Sequence, residues 1–334
     1  MNATTASIYQ VNLYQWYIAE LCICCVGALG NFLLLTVQFT QSRRQQKKGT
    51  SRLLTHIFVV EFLICAVHFP LHTNMVYTGQ FGTWSSSACS YVHTAFIWTQ
   101  YTGNWASFCM ALNRLVAFRF RQYYDRWTRP YVYAVMIGAP WIFGFVLALP
   151  PALGAGGLYR LNKPWMNCSA RSSDGSSFLA IAQAFGIYLP EILLLLMYAD
   201  IFDKLRKDIF LPAIVLSLER SEDKNGAKVR RRNERVFFSQ DKHHTLVKIL
   251  LASSLWYCVC WIPQGVLSST PLHEKYPLFH LGMKSVFVCG YAAKPIFFFS
   301  MSQFYRSGAG AVLSLLLKIV RSPSHQRPIK DHVR

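Results

Sequence analysis

Long apolar segments alternate with shorter polar connections along the whole chain. The third segment, residues 89–114, reads CSYVHTAFIWTQYTGNWASFCMALNR and contains no Lys, Arg, Asp or Glu before its last residue. As an α-helix it would be roughly 37 Å long, enough to cross a hydrocarbon core of about 30 Å. The same pattern predicts seven membrane-spanning helices, over residues 13–40, 53–77, 89–114, 131–153, 178–200, 246–267 and 276–301.

The composition agrees with a membrane protein. Of the 334 residues, 53% are hydrophobic and only 15% are charged, and the mean hydropathy is +0.24. Soluble globular domains carry about 25% charged residues. No internal repeat is visible, and no segment has the composition of a separate soluble domain. The sequence therefore predicts an all-α membrane protein, a seven-transmembrane helix bundle.

The basic residues are distributed unevenly. The formal net charge of +19 would by itself suit nucleic-acid binding. However, 27 of the 34 Lys and Arg residues lie on alternate connections, and the opposite connections hold only Arg160, Lys163, Arg171 and Lys275. Because basic residues concentrate on cytoplasmic loops, the pattern predicts a plasma-membrane protein with an extracellular N-terminus and a cytoplasmic C-terminus. The excess charge then faces anionic lipid of the bilayer and a cytoplasmic partner, with no nucleic acid involved.

This organisation divides the chain into three parts. We expect a short extracellular N-terminus at residues 1–12, the bundle at 13–302, and a cytoplasmic amphipathic helix with a tail at 303–334. The last part has one apolar helical face, formed by Val312, Leu313, Leu316, Leu317 and Val320. A short helix of this kind lies on the membrane surface rather than crossing it.

Ten cysteines are present, and eight of them fall within apolar segments. Only Cys89 and Cys168 lie at the predicted extracellular face, which is an oxidising compartment. We expect a disulfide between them, with two free extracellular thiols as the alternative. Asn2 and Asn167 each begin a glycosylation sequon on the same side, although short sequons also arise by chance.

Each apolar segment carries a landmark that resembles the rhodopsin-like G-protein-coupled receptors, and the resemblance covers nearly the whole chain. The family implies a receptor that responds to an extracellular ligand and activates a heterotrimeric G protein. The landmarks are Asn31, Glu61, Arg114, Trp141, Pro190 with Tyr198, Cys260-Trp261-Ile262-Pro263, and Pro295 followed by Phe304-Tyr305-Arg306.

Two departures from the family pattern concern its signalling end. The usual acid before the arginine of the third helix is absent, since the chain reads Asn113-Arg114-Leu115. At the base of the sixth helix, Lys242 or His243 stands where many members have an acid. These four residues (Asn113, Arg114, Lys242 and His243) are the expected G-protein-coupling positions. Because the arginine lacks its usual carboxylate partners, we hypothesise a looser inactive state and measurable basal signalling.

The seventh helix departs most from the family. Its Asn-Pro-x-x-Tyr motif here reads Lys294-Pro295-Ile296-Phe297-Phe298. A carboxylate within a span is costly, so Glu61 is expected to face the interior and have a partner. We hypothesise that Glu61 and Lys294 form an intramembrane ion pair that replaces the sodium ion of the family. The alternative is that Lys294 extends towards the cytoplasm.

The resemblance also implies an activation mechanism and a ligand pocket. The expected switch residues are Tyr198, Trp261, Pro263, Pro295 and Phe298, with the sixth helix moving outward about its proline. The expected pocket residues are Phe96, Gln100, Gln183, Trp261, Gln264, Lys284 and Tyr291.

The pocket positions disfavour two ligand classes, biogenic amines and retinal. Phe96 stands where amine receptors have an aspartate, and Val288 stands where opsins have the retinal lysine. With its aromatic and amide residues and the cation Lys284, the pocket favours a peptide or an anionic small molecule. Packing between helices is the alternative explanation of these aromatic side chains.

Other function classes remain open at this point. A membrane transporter or channel would use Glu61 and Lys294 as an intramembrane ion path, although no inverted repeat is visible. An intramembrane enzyme is disfavoured, because His56, His68 and His93 are scattered and form no nucleophile–base arrangement. The same scatter predicts no metal site, and no cofactor is expected.

Overall fold

The structure is a computed structural model and describes residues 3–40, 49–79, 82, 84–162, 167–173, 175–219, 227–268 and 276–321. Every apolar segment predicted from the sequence lies in a helix. The helices are α1 (Ala3–Phe39), α2 (Gly49–Leu63 and Phe69–Gly79), α3 (Ser86–Arg119), α4 (Pro130–Ala152), α5 (Phe178–Gln183 and Leu189–Glu219), α6 (Ala227–Ser268), α7 (Pro277–Ala292 and Lys294–Met301) and α8 (Gln303–Arg321). A single helical turn, Tyr124–Trp127, lies between α3 and α4.

Two helices begin well before their apolar segments. Helix α1 starts at Ala3, inside the stretch expected to be an N-terminal extension, and α6 starts at Ala227. The first turns of α6 are rich in Arg, with Lys and Glu nearby. These residues have good helix propensity, so the charged connection continues the helix.

Five helices of the described residues are long and apolar enough to cross a membrane, or up to six if the bent pair α7–α8 counts as one span. Helix α3 is long enough but too polar to be among them. Its buried side chains include Thr99, Gln100, Thr102 and Asn104. It packs against α2, α4 and α5 at the centre of the bundle. Its polar residues therefore face protein rather than lipid.

Two large apolar clusters and two small ones form the core of the described residues. The two large ones lie at different depths of the bundle. One surrounds Phe58, Met110 and Phe298, and the other surrounds Phe96 and Trp261. We call the end of the bundle nearest Cys89 the disulfide end and the opposite end, at Arg114, the arginine end. Large apolar side chains are also exposed around the outside of the bundle, as expected where lipid is the solvent: Val26, Leu29, Phe32, Val135, Ile142, Leu196 and Val259.

A π-helical turn interrupts α2 at Ile64–His68 and α5 at Ala184–Tyr188. Each turn ends two residues before a proline, Pro70 or Pro190. Proline has no N–H and its ring clashes with the carbonyl four residues earlier. The wider turn relieves that clash without ending the helix.

A two-stranded antiparallel hairpin covers the disulfide end. Strand β1 (Gly157–Asn162) pairs with β2 (Asn167–Ser172), and Leu161 lies opposite Cys168. The predicted disulfide joins Cys168 to Cys89 in the first turns of α3. The Tyr159 hydroxyl donates to the Ala148 carbonyl of α4 at 3.2 Å. Burial raises the pKa of Tyr159, so this donor keeps its proton at alkaline pH.

Helices α1, α7 and α8 are held together by close packing. A Cβ atom at Gly30 would lie 2.8 Å from the Pro295 ring, so α1 and α7 approach where only glycine fits. Helix α8 leaves α7 at an angle of 99°. It is fixed to the bundle by Tyr305, whose hydroxyl donates to Gln38 Oε1 of α1 at 3.0 Å.

Candidate functional site

A cavity of about 500 Å³ lies beneath the hairpin at the disulfide end. Its wall is built by all seven helices of the bundle, α1 to α7, and the hairpin. Six of the seven residues predicted for a ligand pocket line it: Phe96, Gln100, Gln183, Trp261, Gln264 and Lys284. Tyr291 is the exception, because it lies deeper in the bundle and lines a separate, smaller cavity. The volume is within the range of small-molecule binding sites.

Aromatic rings form an apolar part of this cavity. The Phe69 ring lies 5.3 Å from the Phe96 ring and 5.6 Å from the Phe287 ring. Trp261 meets Tyr188 edge to face at 4.8 Å. These are the separations at which aromatic pairs attract, so the rings hold one another in place. This part of the cavity can receive an aromatic or aliphatic group.

Polar and charged side chains line another part of the cavity. Glu20 of α1 is 2% exposed and accepts a hydrogen bond from Ser285 of α7. Lys284 precedes that serine and also lines the cavity, as does Arg171 of β2. The cavity therefore offers cations on two elements and one carboxylate.

Three histidines also line the cavity: His72, His93 and His280. His280 lies 3.0 Å from Gln264, Nε2 to Nε2, and His93 packs on the Tyr159 ring at 4.8 Å. Neither of the histidines His72 and His280 was predicted from the sequence as a pocket residue, and the same holds for Glu20 and Arg171. Glu20 had a clear signal, since it is a carboxylate in an apolar segment, as Glu61 is.

A smaller cavity of about 20 Å³ lies midway along the bundle. Its lining includes Tyr291 and Tyr257, whose hydroxyl oxygens are 3.1 Å apart. Glu61, Glu191 and Lys294 also line it, with polar residues of α3 and α6. The middle of the bundle therefore has a charged interior, although lipid surrounds it.

The Lys294 ammonium donates a hydrogen bond to Glu61 Oε1 in this cavity. The two side chains are 12% and 7% exposed. Lys294 is thus directed into the bundle and not along it. The second carboxylate oxygen, Glu61 Oε2, is buried and has no hydrogen-bond partner in the described residues.

Glu191 is the third charged group of the cavity and was not predicted. It lies in the first turn of the second part of α5, directly after Pro190. The thiol of Cys258 on α6 approaches its carboxylate at 4.0 Å. The same rule that identified Glu61, a carboxylate inside an apolar segment, would have found it.

At the arginine end, Arg114 is buried, with 1% of its surface exposed. Its charge interacts with the hydroxyl groups of Tyr124, Tyr133 and Tyr198. Asn113 donates from Nδ2 to Thr50 Oγ1 of α2 at 3.4 Å. The side chains of the other two predicted coupling residues, Lys242 and His243, lie outside the described residues.

The predicted switch residues are spread along the bundle. Trp261 lines the large cavity, whereas Pro263 is exposed on the surface of α6. Pro295 is buried against Gly30. Phe298 and Tyr198 are fully buried at the arginine end, where Phe298 meets Phe58 edge to face at 5.0 Å.

The side chains of the two predicted glycosylation sites lie outside the described residues. Asn2 precedes the first described residue, and Asn167 begins β2 with its side chain outside the description. In the part of the chain that the structure describes, no three His, Cys, Asp or Glu side chains are grouped as metal ligands.

Comparisons with known proteins agree on one family. The family model "7 transmembrane receptor (rhodopsin family)" matches residues 30–294. Protein trapped in endoderm-1 of Drosophila melanogaster is 22% identical over 201 residues, which is 60% of this chain and 51% of that protein. Somatostatin receptor type 5 of Rattus norvegicus is 21% identical over 266 residues, 77% of this chain and 64% of that protein. The matches thus span between about half and two thirds of these relatives.

The fold is also similar to that of a solved structure. Squid rhodopsin superposes with a TM-score of 0.74 at 16% identity, covering 94% of this chain and 89% of that chain. The family model covers the larger part of the chain and includes all seven helices of the bundle in whole or in part. The chain therefore belongs to the rhodopsin family of seven-transmembrane receptors.

Proposed function

We propose that this receptor binds an extracellular ligand in the large cavity and activates a heterotrimeric G protein at its arginine end. The observation that carries the proposal is the position of the cavity, beneath a disulfide-anchored hairpin and in contact with Trp261 of α6. A ligand there favours one arrangement of α6 over another by its difference in affinity. Outward movement of α6 about Pro263 then opens the surface around Arg114.

We propose the orientation that the basic residues predict. The disulfide end is extracellular and the arginine end is cytoplasmic, in the plasma membrane. Residues 1–12 then belong to the outer side, 13–302 to the bundle, and 303–334 to a cytoplasmic helix and tail. Epitope tags test this directly: a tag at the N-terminus should stain intact cells, and one at the C-terminus should stain only after permeabilisation. The reverse staining would contradict the orientation.

The lining of the cavity supports a peptide or an anionic small molecule as the ligand. The aromatic rings of Phe96, Trp261 and Phe287 suit an apolar side chain. Lys284 and Arg171 suit an anionic group, such as a peptide carboxylate. A cavity of about 500 Å³ holds only part of a peptide, and that part would carry the groups that Lys284 and Arg171 contact.

A screen of peptides and anionic small molecules against cells with a promiscuous G-protein reporter tests both the receptor role and the ligand class. For any active ligand, Lys284→Gln should weaken binding by about tenfold to a hundredfold, because a charge-assisted hydrogen bond contributes about 1.5–3 kcal/mol. Arg171→Gln should weaken binding in the same direction.

Arg160→Gln is the matched control. Arg160 lies on the paired strand of the same hairpin, is exposed, and does not line the cavity, so ligand affinity should not change. An equal loss in Arg160→Gln and Arg171→Gln would contradict the proposed contact. The signalling role itself would be contradicted if the protein transported a substrate across proteoliposome membranes in response to ligand but caused no nucleotide exchange on a G protein.

A further inference from the structure

We propose that the small cavity midway along the bundle is a proton-binding site, in which Glu191 carries the proton while Glu61 stays ionised against Lys294. The ligand of this site is a proton and not a metal cation. The proposal rests on the charges, contacts and size of the cavity. It requires neither the extracellular ligand nor the G protein.

The first observation is a charge imbalance. Two carboxylates, Glu61 and Glu191, line the cavity with one ammonium, Lys294. An ionised carboxylate inside a membrane protein is stable only when it is paired and hydrogen-bonded. One ammonium balances one carboxylate, so a further positive charge is needed in the cavity. Either a proton or a small cation can supply it.

The contacts decide which carboxylate is paired. The Lys294 ammonium donates to Glu61 Oε1, and a cation in contact favours the ionised form of a carboxyl group. Glu191 is approached by the Cys258 thiol at 4.0 Å, which is a weak donor at a long distance. The proton therefore belongs on Glu191.

The unpartnered oxygen of Glu61 fits the same arrangement. Glu61 Oε2 is buried without a hydrogen-bond partner in the described residues, and such an acceptor is costly. A protonated Glu191 is a hydrogen-bond donor on the same cavity. The cavity volume of about 20 Å³ admits about one water molecule, which can carry the hydrogen bond from Glu191 to Glu61.

The volume also argues against a metal cation. Hard cations need a shell of several oxygen ligands, commonly with water among them. A space of about 20 Å³ does not hold an ion together with water ligands of its own, and the Lys294 ammonium repels a second cation there. The ammonium itself already occupies one side of the Glu61 carboxylate.

The remaining neighbours are compatible with a neutral Glu191. In the described part of the bundle, α3 contributes Asn104 and Ser107, and α6 contributes Ser253, Ser254 and Tyr257. Cys258 of α6, Tyr291 of α7 and Tyr198 of α5 are the other ionisable groups that act on Glu191 or on the cavity. Cysteine and tyrosine are neutral at physiological pH unless their environment favours the anion.

The small and large cavities adjoin at Tyr257 and Gln100. Tyr257 lines the small cavity and lies next to Gln100, which lines the large one. Tyr291 joins the Tyr257 hydroxyl at 3.1 Å. A proton from solvent water in the large cavity can pass this boundary when these side chains move, leaving hydroxide in solvent and forming one O–H bond on the Glu191 carboxyl group.

Infrared spectroscopy of the purified full-length receptor in nanodiscs tests the proposal. At near-neutral pH, the wild type should show the carbonyl-stretch band of a protonated carboxylic acid, shifted in heavy water. Glu191→Gln should lose this band. Glu20→Gln is the matched control, since Glu20 is also a buried carboxylate within a span but lies in the other cavity.

The control Glu20→Gln should keep the band that Glu191→Gln loses. If Glu191→Gln does not fold, Glu191→Asp replaces it, because an aspartic acid keeps the carboxyl group and moves the band. A spectrum that is the same in wild type and in either Glu191 variant would overturn the proposal.

Thermal unfolding of the wild type in sodium chloride and in choline chloride at equal ionic strength separates the proton from a metal cation. We expect the two midpoints to coincide. A sodium-specific rise that Glu191→Gln abolishes would show that a metal cation supplies the missing charge, and would overturn the proposal.

Discussion

Single residues explain how α5 passes a proline within the bundle. Pro190 cannot donate to the Gly186 carbonyl, four residues earlier. Asn104 of α3 donates to that carbonyl from Nδ2 at 3.1 Å, and the Trp105 ring nitrogen donates to the preceding carbonyl, of Phe185, at 3.1 Å. Two side chains of α3 therefore replace the backbone donors that the π-helical turn and the proline remove.

This replacement predicts coupling between Asn104 and Pro190. Asn104→Ala should cost about 1–3 kcal/mol, because it leaves a buried carbonyl without a donor. In a Pro190→Ala background the new N–H can bond to Gly186, so the same substitution should cost below about 1 kcal/mol. The measurement is the thermal unfolding midpoint of the four purified proteins.

Thr94→Ala provides the control for that cycle. The Thr94 hydroxyl donates only to a carbonyl of its own helix, that of Ser90. Its effect should be the same with proline or alanine at position 190. Additive effects of Asn104→Ala and Pro190→Ala would show that Asn104 does not compensate for the proline.

At the scale of single residues, the sequence predicted the lining of the large cavity better than it predicted the buried carboxylates. Landmark spacing located Gln100, Gln183 and Trp261, because the family fixes their depth along each helix. Glu20 and Glu191 were missed although they carry the same signal as Glu61, a carboxylate in an apolar segment. His280 was not predictable in this way, because its role depends on a contact with Gln264 of another helix.

Whole elements pack closely where α1 meets α7. Gly30→Ala should cost about 1–3 kcal/mol, because the added Cβ atom would lie 2.8 Å from the Pro295 ring and push the helices apart. Gly138→Ala in α4 is the control, since nothing lies within 4 Å of its Cβ position. That variant should be neutral or stabilising by up to about 1 kcal/mol. Unfolding midpoints of the purified variants give the comparison.

An equal effect of the two glycine substitutions would contradict this account of the α1–α7 contact.

The elements themselves were predicted from apolar length, which located every spanning segment. The hairpin was not predicted, since its strands are short and its pairing depends on α3 and α4 through Cys89 and Ala148. Helix α6 begins before its apolar segment, because the charged residues that precede the segment favour a helix without being apolar.

For the molecule as a whole, the setting of Arg114 predicts measurable activity without ligand. Asn113 stands where the family has an acid, and a neutral amide at that position binds a guanidinium less strongly than a carboxylate does. In cells, the wild type should therefore give second-messenger output above that of untransfected cells. Arg114→Ala should lower that output at equal surface expression.

Arg160→Ala is the control for this measurement, because Arg160 is exposed at the opposite end of the bundle. Its ligand-independent output should match that of the wild type. Equal output from Arg114→Ala and the wild type would reject the hypothesis of a looser inactive state. The sequence alone supports only the absence of the acid before Arg114, since the tyrosines that act on its charge come from three different parts of the chain.

The contact between Glu61 and Lys294 has a consequence for biosynthesis. The two residues are 233 positions apart in the chain, so the first is inserted long before the second has been translated. At about 5–20 residues per second, the delay is on the order of tens of seconds. During that interval the Glu61 carboxyl group lacks its Lys294 partner. A product that ends before Lys294 keeps this carboxyl group without that partner inside an apolar segment, which is costly in a membrane.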